Sequence, residues 1–171
     1  MRMKKYLKKL LNSFFWILDK INKNAFVKKY PQYLRWLGVD INTEESEDTW
    51  ISPTIFLDSA RYDYIHIGKN VTISFDVTVL VHDYSIVHAG RTVGGYKTKD
   101  IIYKEVLIGN NVFIGAKTVI LPGTSIGDNC IIGAGSVVKG RLESNSIYVG
   151  NPATKIGNVE TFAEKYSFLL R

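Results

Sequence analysis

Three histidines, His66, His82 and His88, are the residues of this chain best suited to acid–base chemistry. An imidazole changes charge near neutral pH, so a histidine can take a proton from a reacting hydroxyl and later return it. Two carboxylates, Asp58 and Asp83, are candidates to orient a catalytic imidazole or to hold the acceptor. The alternatives are a surface histidine at position 82 and, for Asp58, a corner carboxylate bonded to nearby backbone N–H groups.

Other classes of site are poorly represented in the sequence. No P-loop, serine triad arrangement or cluster of metal ligands is found, so the sequence predicts no metal. Cys130 is the only cysteine, which excludes an intrachain disulfide and fits a reducing cytoplasm. We therefore predict a cytoplasmic protein, with the inner face of the membrane as a further option.

A six-residue rhythm indicates the elements that must position these groups. Aliphatic residues recur at Ile108, Ile114, Ile120, Ile126, Ile132 and Val138. A helix repeats near every 3.6 residues and a strand every 2, so neither alone explains this spacing. A hexad fits one short strand and a turn, with the aliphatic side chain inward and three hexads per coil of a triangular solenoid.

A shorter block carries the same rhythm earlier in the chain, at Ile55, Ile67, Ile73 and Val79. Arg61 takes the aliphatic slot after the first of these residues, which predicts an irregular turn. The two blocks are out of phase, which predicts an inserted loop at about residues 83–105. The predicted fold class is an all-β solenoid, a parallel β-helix with a small N-terminal helical segment and this loop.

Three short motifs carry a resemblance to a known family: "ILPG" at 120–123, "IGAGSVV" at 132–138 and "GNPA" at 150–153. With the hexads around them, they resemble the hexapeptide-repeat acyltransferases, in the branch of the maltose, galactoside and serine O-acetyltransferases. The resemblance covers about residues 50–157. It implies a left-handed β-helix, a homotrimer with sites between neighbouring solenoids, and direct transfer of an acetyl group from acetyl-CoA.

The resemblance also implies roles for individual residues. His82 stands where the family has its catalytic base, and Asp58 lies in an "LD" that the family shares. Asp83, Tyr84 and His88 lie beside the base or in the inserted loop, which makes them candidates, with Asp58, for binding substrate. The tyrosines in or beside the loop, Tyr84, Tyr96 and Tyr103, could stack on a sugar ring or cover a joint between subunits.

Residues for binding coenzyme A follow from the same resemblance. Ala116 and Ala134 lie 18 positions apart, one full coil, and their small side chains would let the pantetheine arm lie against the backbone. Lys139, Arg141 and Lys155 are candidates to meet the phosphates of the cofactor. Ordinary surface charge is the alternative for each of these three cations.

Departures from the family motifs bear on the acceptor. The family usually reads "VVTKD" where this chain has "VVKGR" at 137–141, and Ile51 and Gly94 replace an asparagine and a glutamate of the sugar acetyltransferases. Residues 62–85 are instead similar to acetyltransferases that modify cell-surface polysaccharides. We predict O-acetylation of a sugar hydroxyl in such a polysaccharide or its precursor. A different small acceptor (serine, an antibiotic or an amino-sugar nitrogen) and a non-catalytic scaffold remain alternatives.

The N-terminal segment differs from the rest in charge. Residues 1–40 contain ten Lys/Arg and two Asp/Glu, whereas the remaining residues contain twelve and fourteen. Helical spacing predicts an amphipathic helix over 3–21 and a second over 25–37, with Pro31 a weak point. This segment either packs on the trimer or makes peripheral contact with an anionic membrane.

The domain boundaries follow from these shifts in pattern. We predict a basic helical segment over 1–40, the β-helix over 41–157 and a helical tail over 158–171. The slightly acidic β-helix lacks the basic stripe that nucleic-acid binding needs, so no nucleic acid is expected as a partner.

Overall fold

A computed structural model describes residues 2–42, 48–94 and 101–169, with side chains from residue 10 onward. The predicted sugar contact at Tyr96 and most of the acidic connector at 42–50 therefore lie outside the described residues. None of the described helices is both long enough and apolar enough to cross a bilayer.

Short strands recur along the described chain from residue 40 to residue 158. The strands are β1 Asp40–Ile41, β2 Trp50–Ile51, β3 Phe56–Leu57, β4 Ile65–Ile67, β5 Thr72–Ile73, β6 Thr78–Val79, β7 His82–Asp83, β8 Ile102–Tyr103, β9 Val106–Ile108, β10 Phe113–Ile114, β11 Val119–Ile120, β12 Ser125–Ile126, β13 Ile131–Ile132, β14 Val137–Val138, β15 Arg141–Leu142, β16 Ser146–Val149 and β17 Thr154–Asn158. The helices are α1 Arg2–Ile21, α2 Lys23–Leu37, α3 Ser85–Val93 and α4 Val159–Lys165, with 3₁₀ turns at Tyr62–Tyr64 and Ser167–Leu169.

The strands form three parallel sheets that the chain visits in turn. The first sheet has the order β1-β4-β9-β12-β15 and the third β3-β6-β11-β14. The second has the order β2-β5-β10-β13-β16-β17, in which the last strand, β17, pairs with β16 in the antiparallel direction. In the second block Ile114 pairs with Ile132 and Ile120 with Val138, so one coil takes 18 residues. The predicted inward aliphatic residues of this block are buried, which confirms the rhythm.

The phase of the first block was predicted wrongly at Ile55. The inward residues there are Ile51 and Leu57, which pair with strands 22 positions later, and Ile55 lies outside the strands. The 3₁₀ turn at 62–64 adds four residues to this coil and shifts its phase. Arg61, which predicted an irregular turn, directly precedes that 3₁₀ turn.

A longer offset separates the two blocks. Val79 pairs with Ile120, 41 positions later, although β6 and β11 are neighbours in the third sheet. The additional chain includes an antiparallel pair, in which His82 lies opposite Tyr103, and helix α3. The insertion therefore leaves the solenoid and returns to it beside His82.

Small polar residues also occupy inward positions. The hydroxyls of Thr118 and Ser136 donate to the carbonyls of Gly115 and Gly133 at 2.8 and 2.6 Å. Their hydrogen bonds satisfy polar groups that burial would otherwise leave unpaired. Cys130 is buried as predicted, and this burial raises the pKa of its thiol.

Helices α1 and α2 pack on each other and on the first coil. Their contact is an aromatic cluster in which Phe15 stacks on Tyr33 and meets Tyr30 edge-on. Helix α2 continues through Pro31, the predicted weak point, and Pro31 is buried in this packing. It ends at Gly38, whose φ of 109° is the left-handed conformation that glycine adopts without strain.

Candidate active site

His82 lies at the corner where the third sheet turns toward the first. Strand β6 ends at Val79, and β7 begins at His82 after two residues. Asp58 follows β3, the neighbour of β6 in the same sheet, so it occupies the same corner one coil earlier. The carboxylate Oδ2 of Asp58 forms a hydrogen bond with Nδ1 of His82.

Asp58 is held firmly by the surrounding backbone. Its side chain is 5% exposed and accepts the N–H groups of Ala60 and Val81, each at 3.1 Å. Burial raises the pKa of Asp58, but these two N–H groups and the His82 ring outweigh burial and lower the pKa below its usual range. Asp58 is therefore an ionised, oriented partner for the imidazole.

This arrangement suits His82 to act as a general base. A carboxylate that accepts from Nδ1 fixes the tautomer in which Nε2 is free to take a proton. The His82 side chain remains 30% exposed, so solvent and ligands can reach it. Buried aspartates that orient a catalytic histidine in other enzymes act in the same way.

Aromatic rings surround His82 on the outside of the solenoid. The rings of Tyr84 and Tyr103 lie 5.5 and 6.2 Å from the imidazole, measured between ring centroids. Tyr64 meets Tyr103 edge-on at 6.3 Å, and the Arg61 guanidinium lies 4.1 Å from the centre of the Tyr64 ring. The sequence singled out Tyr84 and Tyr103 but missed Tyr64, which reaches the site because the 3₁₀ turn displaces it from a strand position.

Two predicted substrate-binding residues, Asp83 and His88, lie beside or on helix α3. Asp83 accepts the backbone N–H of Ser85 at 2.7 Å, and this bond lowers the pKa of Asp83. It therefore holds the start of α3. His88 lies in the middle of α3 with an exposed side chain, and no contact joins it to His82 among the described residues.

His66 also pairs with a carboxylate, but its environment differs. Its Nδ1 lies 2.8 Å from Oδ2 of Asp40, which is 74% exposed. Its Nε2 is buried without a hydrogen-bond partner among the described residues, and Oε1 of Glu105 lies 3.9 Å away. A buried Nε2 cannot take a proton from a bound acceptor, so this pair fits a structural role.

The predicted coenzyme A residues fall on different corners of the solenoid. Ala116 and Ala134 follow β10 and β13 and stack on one corner, joined by a 2.8 Å bond from the Gly135 N–H to the Ala116 carbonyl. A Cβ on Gly115 would lie 2.5 Å from the Ala134 nitrogen, so the successive turns are in close contact. Their stacking supplies a narrow surface of small residues.

The predicted cations are spread over the solenoid. Lys139 follows β14 and is exposed on the same corner as His82, two coils further along. Arg141 is exposed in β15 of the first sheet. Lys155 forms a 2.8 Å ion pair with Glu143, which raises the pKa of the lysine and occupies its charge. Of the three, Lys139 lies on the edge that carries His82.

Comparison with known proteins places this geometry in a family. The family described as bacterial transferase hexapeptide (six repeats) matches residues 105–140. Galactoside O-acetyltransferase of Escherichia coli (strain K12) is 31% identical over 138 residues, which are 71% of this chain and 66% of that protein. This chain belongs to the hexapeptide-repeat acyltransferases. The prediction of an acyltransferase is thereby confirmed.

Comparison with solved structures agrees with membership of this family. A structure of galactoside acetyltransferase in complex with coenzyme A superposes with a TM-score of 0.60 at 25% identity, covering 92% of this chain and 83% of that one. The fold of the hexapeptide-repeat acyltransferases implies a left-handed parallel β-helix, as predicted.

A further relative is WbbJ of Escherichia coli (strain K12), whose name refers to lipopolysaccharide biosynthesis and to O-acetyl transfer. It is 28% identical over 153 residues, which are 77% of this hexapeptide-repeat chain and 78% of WbbJ.

Proposed function

We propose that this chain transfers an acetyl group from acetyl-CoA to a sugar hydroxyl of a cell-surface polysaccharide or its precursor, in the cytoplasm. The observation that carries the proposal is the hydrogen bond between Nδ1 of His82 and the buried carboxylate of Asp58. It presents Nε2 of a partly exposed imidazole at a corner of an acyltransferase fold. This favours an enzyme over a non-catalytic scaffold, because a buried carboxylate here can stabilise the imidazolium that proton transfer to Nε2 would create.

His82 acts as the general base in the proposed reaction. Nε2 takes the proton of the acceptor hydroxyl while the hydroxyl oxygen attacks the thioester carbonyl of acetyl-CoA. The new C–O bond forms and the C–S bond breaks. The proton on Nε2 then passes to the leaving thiolate, which departs as free coenzyme A. Asp58 stabilises the imidazolium between the two proton transfers.

The donor is acetyl-CoA, supported by the coenzyme A in the related galactoside acetyltransferase structure. In our proposal the pantetheine arm lies along the stacked corner of Ala116 and Ala134, because larger side chains would keep it from the backbone. Lys139 and Arg141 bind the phosphates of coenzyme A. Lys155 contributes less than the other cations, since Glu143 already neutralises its charge.

The acceptor is a sugar, for which the aromatic surroundings of the base are the support. Tyr84 and Tyr103 lie beside His82, and Tyr64 lies beside Tyr103. Their rings and hydroxyls suit the apolar faces and polar edges of a pyranose. Asp83, just before α3, and His88, exposed on α3, are the remaining candidates for contact with the acceptor. The names of two relatives, for a galactoside and for lipopolysaccharide biosynthesis, are consistent with this class of acceptor.

The working unit in this proposal is a homotrimer. Support comes from large apolar side chains on the outer faces of the solenoid, where Phe56 and Phe113 are 57% and 44% exposed. Apolar surface of this kind can mark an interface with another chain. A neighbouring subunit would complete a site that a single chain leaves open at His82.

The experiment follows the release of free coenzyme A thiol with acetyl-CoA and a panel of acceptors. The panel holds simple sugars, amino sugars, serine and capsular or lipid-linked oligosaccharides. We expect turnover on oligosaccharides that falls by about a hundredfold or more in His82→Ala, the scale of a general base. Turnover on serine or an amino sugar alone would overturn the acceptor class. No turnover and no acetyl-CoA binding would favour the scaffold.

A further inference from the structure

One face of α1 carries four apolar side chains that the fold leaves in solvent. Leu10, Phe14, Ile17 and Ile21 are 69%, 51%, 50% and 76% exposed. Their spacing of four, three and four residues places them in one stripe along the helix. We propose that this stripe inserts into the headgroup region of an anionic lipid bilayer and holds the enzyme at a membrane surface.

The opposite face of α1 already satisfies the fold. Phe15 is buried against α2, and the Asn12 side chain accepts the Tyr33 hydroxyl at 3.1 Å. Asp19 accepts the indole N–H of Trp50 at 3.3 Å, which ties the helix to the first coil. The orientation of α1 is therefore set by residues outside the stripe. The exposed stripe is surplus to intramolecular packing and available for a partner.

Charge indicates which partner fits the stripe. Residues 1–37 contain ten Lys/Arg and a single acid, Asp19. That acid is only 9% exposed and turned toward Trp50, so it contributes little negative charge to the outer surface. Exposed cations on the two helices include Lys20, Lys23, Lys28 and Lys29. An apolar stripe on a helical segment rich in exposed lysines matches the interfacial helices that bind anionic lipids.

A second copy of the chain fits less well than a bilayer. Contact between two such helices would bring together segments of like charge, which repel. The rest of the chain has twelve Lys/Arg and fourteen Asp/Glu, so its net charge offers little attraction. Trp16 and Trp36, 51% and 59% exposed on the same two helices, suit the boundary between headgroups and acyl chains.

Membrane attachment would hold the helical end of the β-helix against the bilayer. α2 packs on β1 and β2 of the first coil, and His82 follows β6 one coil further along. The active corner would then lie close to the surface at which lipid-linked acceptors are held. This attachment does not depend on the proposed acetyl transfer, because it uses none of the residues around His82.

The test is flotation of the full-length protein with vesicles of phosphatidylcholine alone or mixed with phosphatidylglycerol. A stripe variant combines Leu10→Ser, Phe14→Ser, Ile17→Ser and Ile21→Ser. A matched control replaces exposed apolar residues at the other end of the chain, Ile156→Ser, Phe168→Ser and Leu169→Ser. We expect binding only to the anionic vesicles, reduced at least about tenfold in the stripe variant and unchanged in the control.

A second variant guards against loss of folding in the first. Lys23→Gln, Lys28→Gln and Lys29→Gln leave the stripe intact and should weaken binding to the anionic vesicles, as should added salt. Circular dichroism and light scattering establish the fold and mass of every variant. Wild type that fails to float with anionic vesicles would overturn the proposal. So would a stripe variant that binds equally, or one whose only change is a smaller oligomer, since the stripe would then join copies of the chain.

Discussion

His82 and His66 are two histidines of equal exposure that each pair through Nδ1 with an aspartate. The two side chains are both 30% exposed, and the pairs differ in the carboxylate. Asp58 is 5% exposed and accepts two backbone N–H groups, whereas Asp40 is 74% exposed. A fixed carboxylate can orient an imidazole for proton transfer, and an exposed one competes with water for the same bond.

The accessible ring nitrogen also differs between the two pairs. In His66 the buried atom is Nε2, so the nitrogen that would have to meet a substrate is enclosed. His82 has the rings of Tyr84 and Tyr103 beside it on the outside of the solenoid. Of the two pairs, only the one at His82 has the features of the proposed general base. What matters is which partner is buried and which nitrogen is left accessible.

The largest effect should separate the two histidines themselves. His82→Ala removes the proposed base and should lower kcat by about 10² to 10⁴-fold, the usual contribution of general base catalysis. His66→Ala should retain kcat within about twofold, because the imidazole it removes touches no reacting group. Steady-state release of coenzyme A thiol measures both. Equal losses of kcat in the two variants would contradict the assignment of His82, rather than His66, as the base.

Substitution of the two partner aspartates should affect kcat in the same order as substitution of the histidines, but by a smaller factor. Asp58→Asn keeps the shape of the side chain but removes the charge that stabilises the imidazolium, so kcat should fall about tenfold to hundredfold. Asp40→Asn is the matched exposed variant and should keep the wild-type kcat. An unaffected Asp58→Asn enzyme would show that the buried carboxylate has no part in the reaction.

The same pair of variants should differ in stability and in its dependence on pH. An amide at position 58 cannot accept both backbone N–H groups, so Asp58→Asn should lower the free energy of unfolding by about 1–3 kcal/mol at neutral pH. Asp40→Asn should change it by less than about 0.5 kcal/mol. Denaturant melts of the three proteins measure these differences.

The sign of the pH dependence follows from the lowered pKa of Asp58. A carboxylate whose pKa is lower in the folded than in the unfolded protein stabilises the fold above its unfolded pKa, about 4. That contribution is lost as the pH falls through the lower, folded pKa. The difference in free energy of unfolding between wild type and Asp58→Asn should therefore become smaller in acid. A difference that grows in acid would contradict the lowered pKa.

The smallest expected effect concerns the aromatic neighbours that distinguish His82. Tyr103→Ala should raise KM for the glycan acceptor about threefold to tenfold with little change in kcat, the scale of one stacking contact. Tyr103→Phe keeps the ring and should stay closer to wild type. A large fall in kcat for Tyr103→Phe would instead give the hydroxyl a direct part in the chemistry.

The sequence predicted the solenoid well because its signal repeats. Each inward aliphatic residue repeats the same physical demand, so the phase of the second block could be read from Ile108 to Val138. The phase of the first coil was predicted wrongly because a single insertion, the turn at 62–64, shifts Ile55 out of phase. A single irregular coil offers no second copy from which to correct the phase.

Prediction of the site was less complete than prediction of the fold. His82 and Asp58 could be proposed from motifs, but 24 positions separate them, and only the stacking of β3 on β6 brings them together. Tyr64 carried no signal, since its approach to Tyr103 depends on the 3₁₀ turn. Asp83 looked like a partner of the base but holds the start of α3, which could be recognised only once that helix was known.

The most direct test of the central claim is kcat for four enzymes: wild type, His82→Ala, Asp58→Asn and the double variant. If Asp58 acts through the His82 imidazole, Asp58→Asn lowers kcat in the wild-type background and changes it by less than about twofold when His82 is already alanine. The same fold-loss in both backgrounds would mean that Asp58 acts independently of His82. The pair would then not be the catalytic unit.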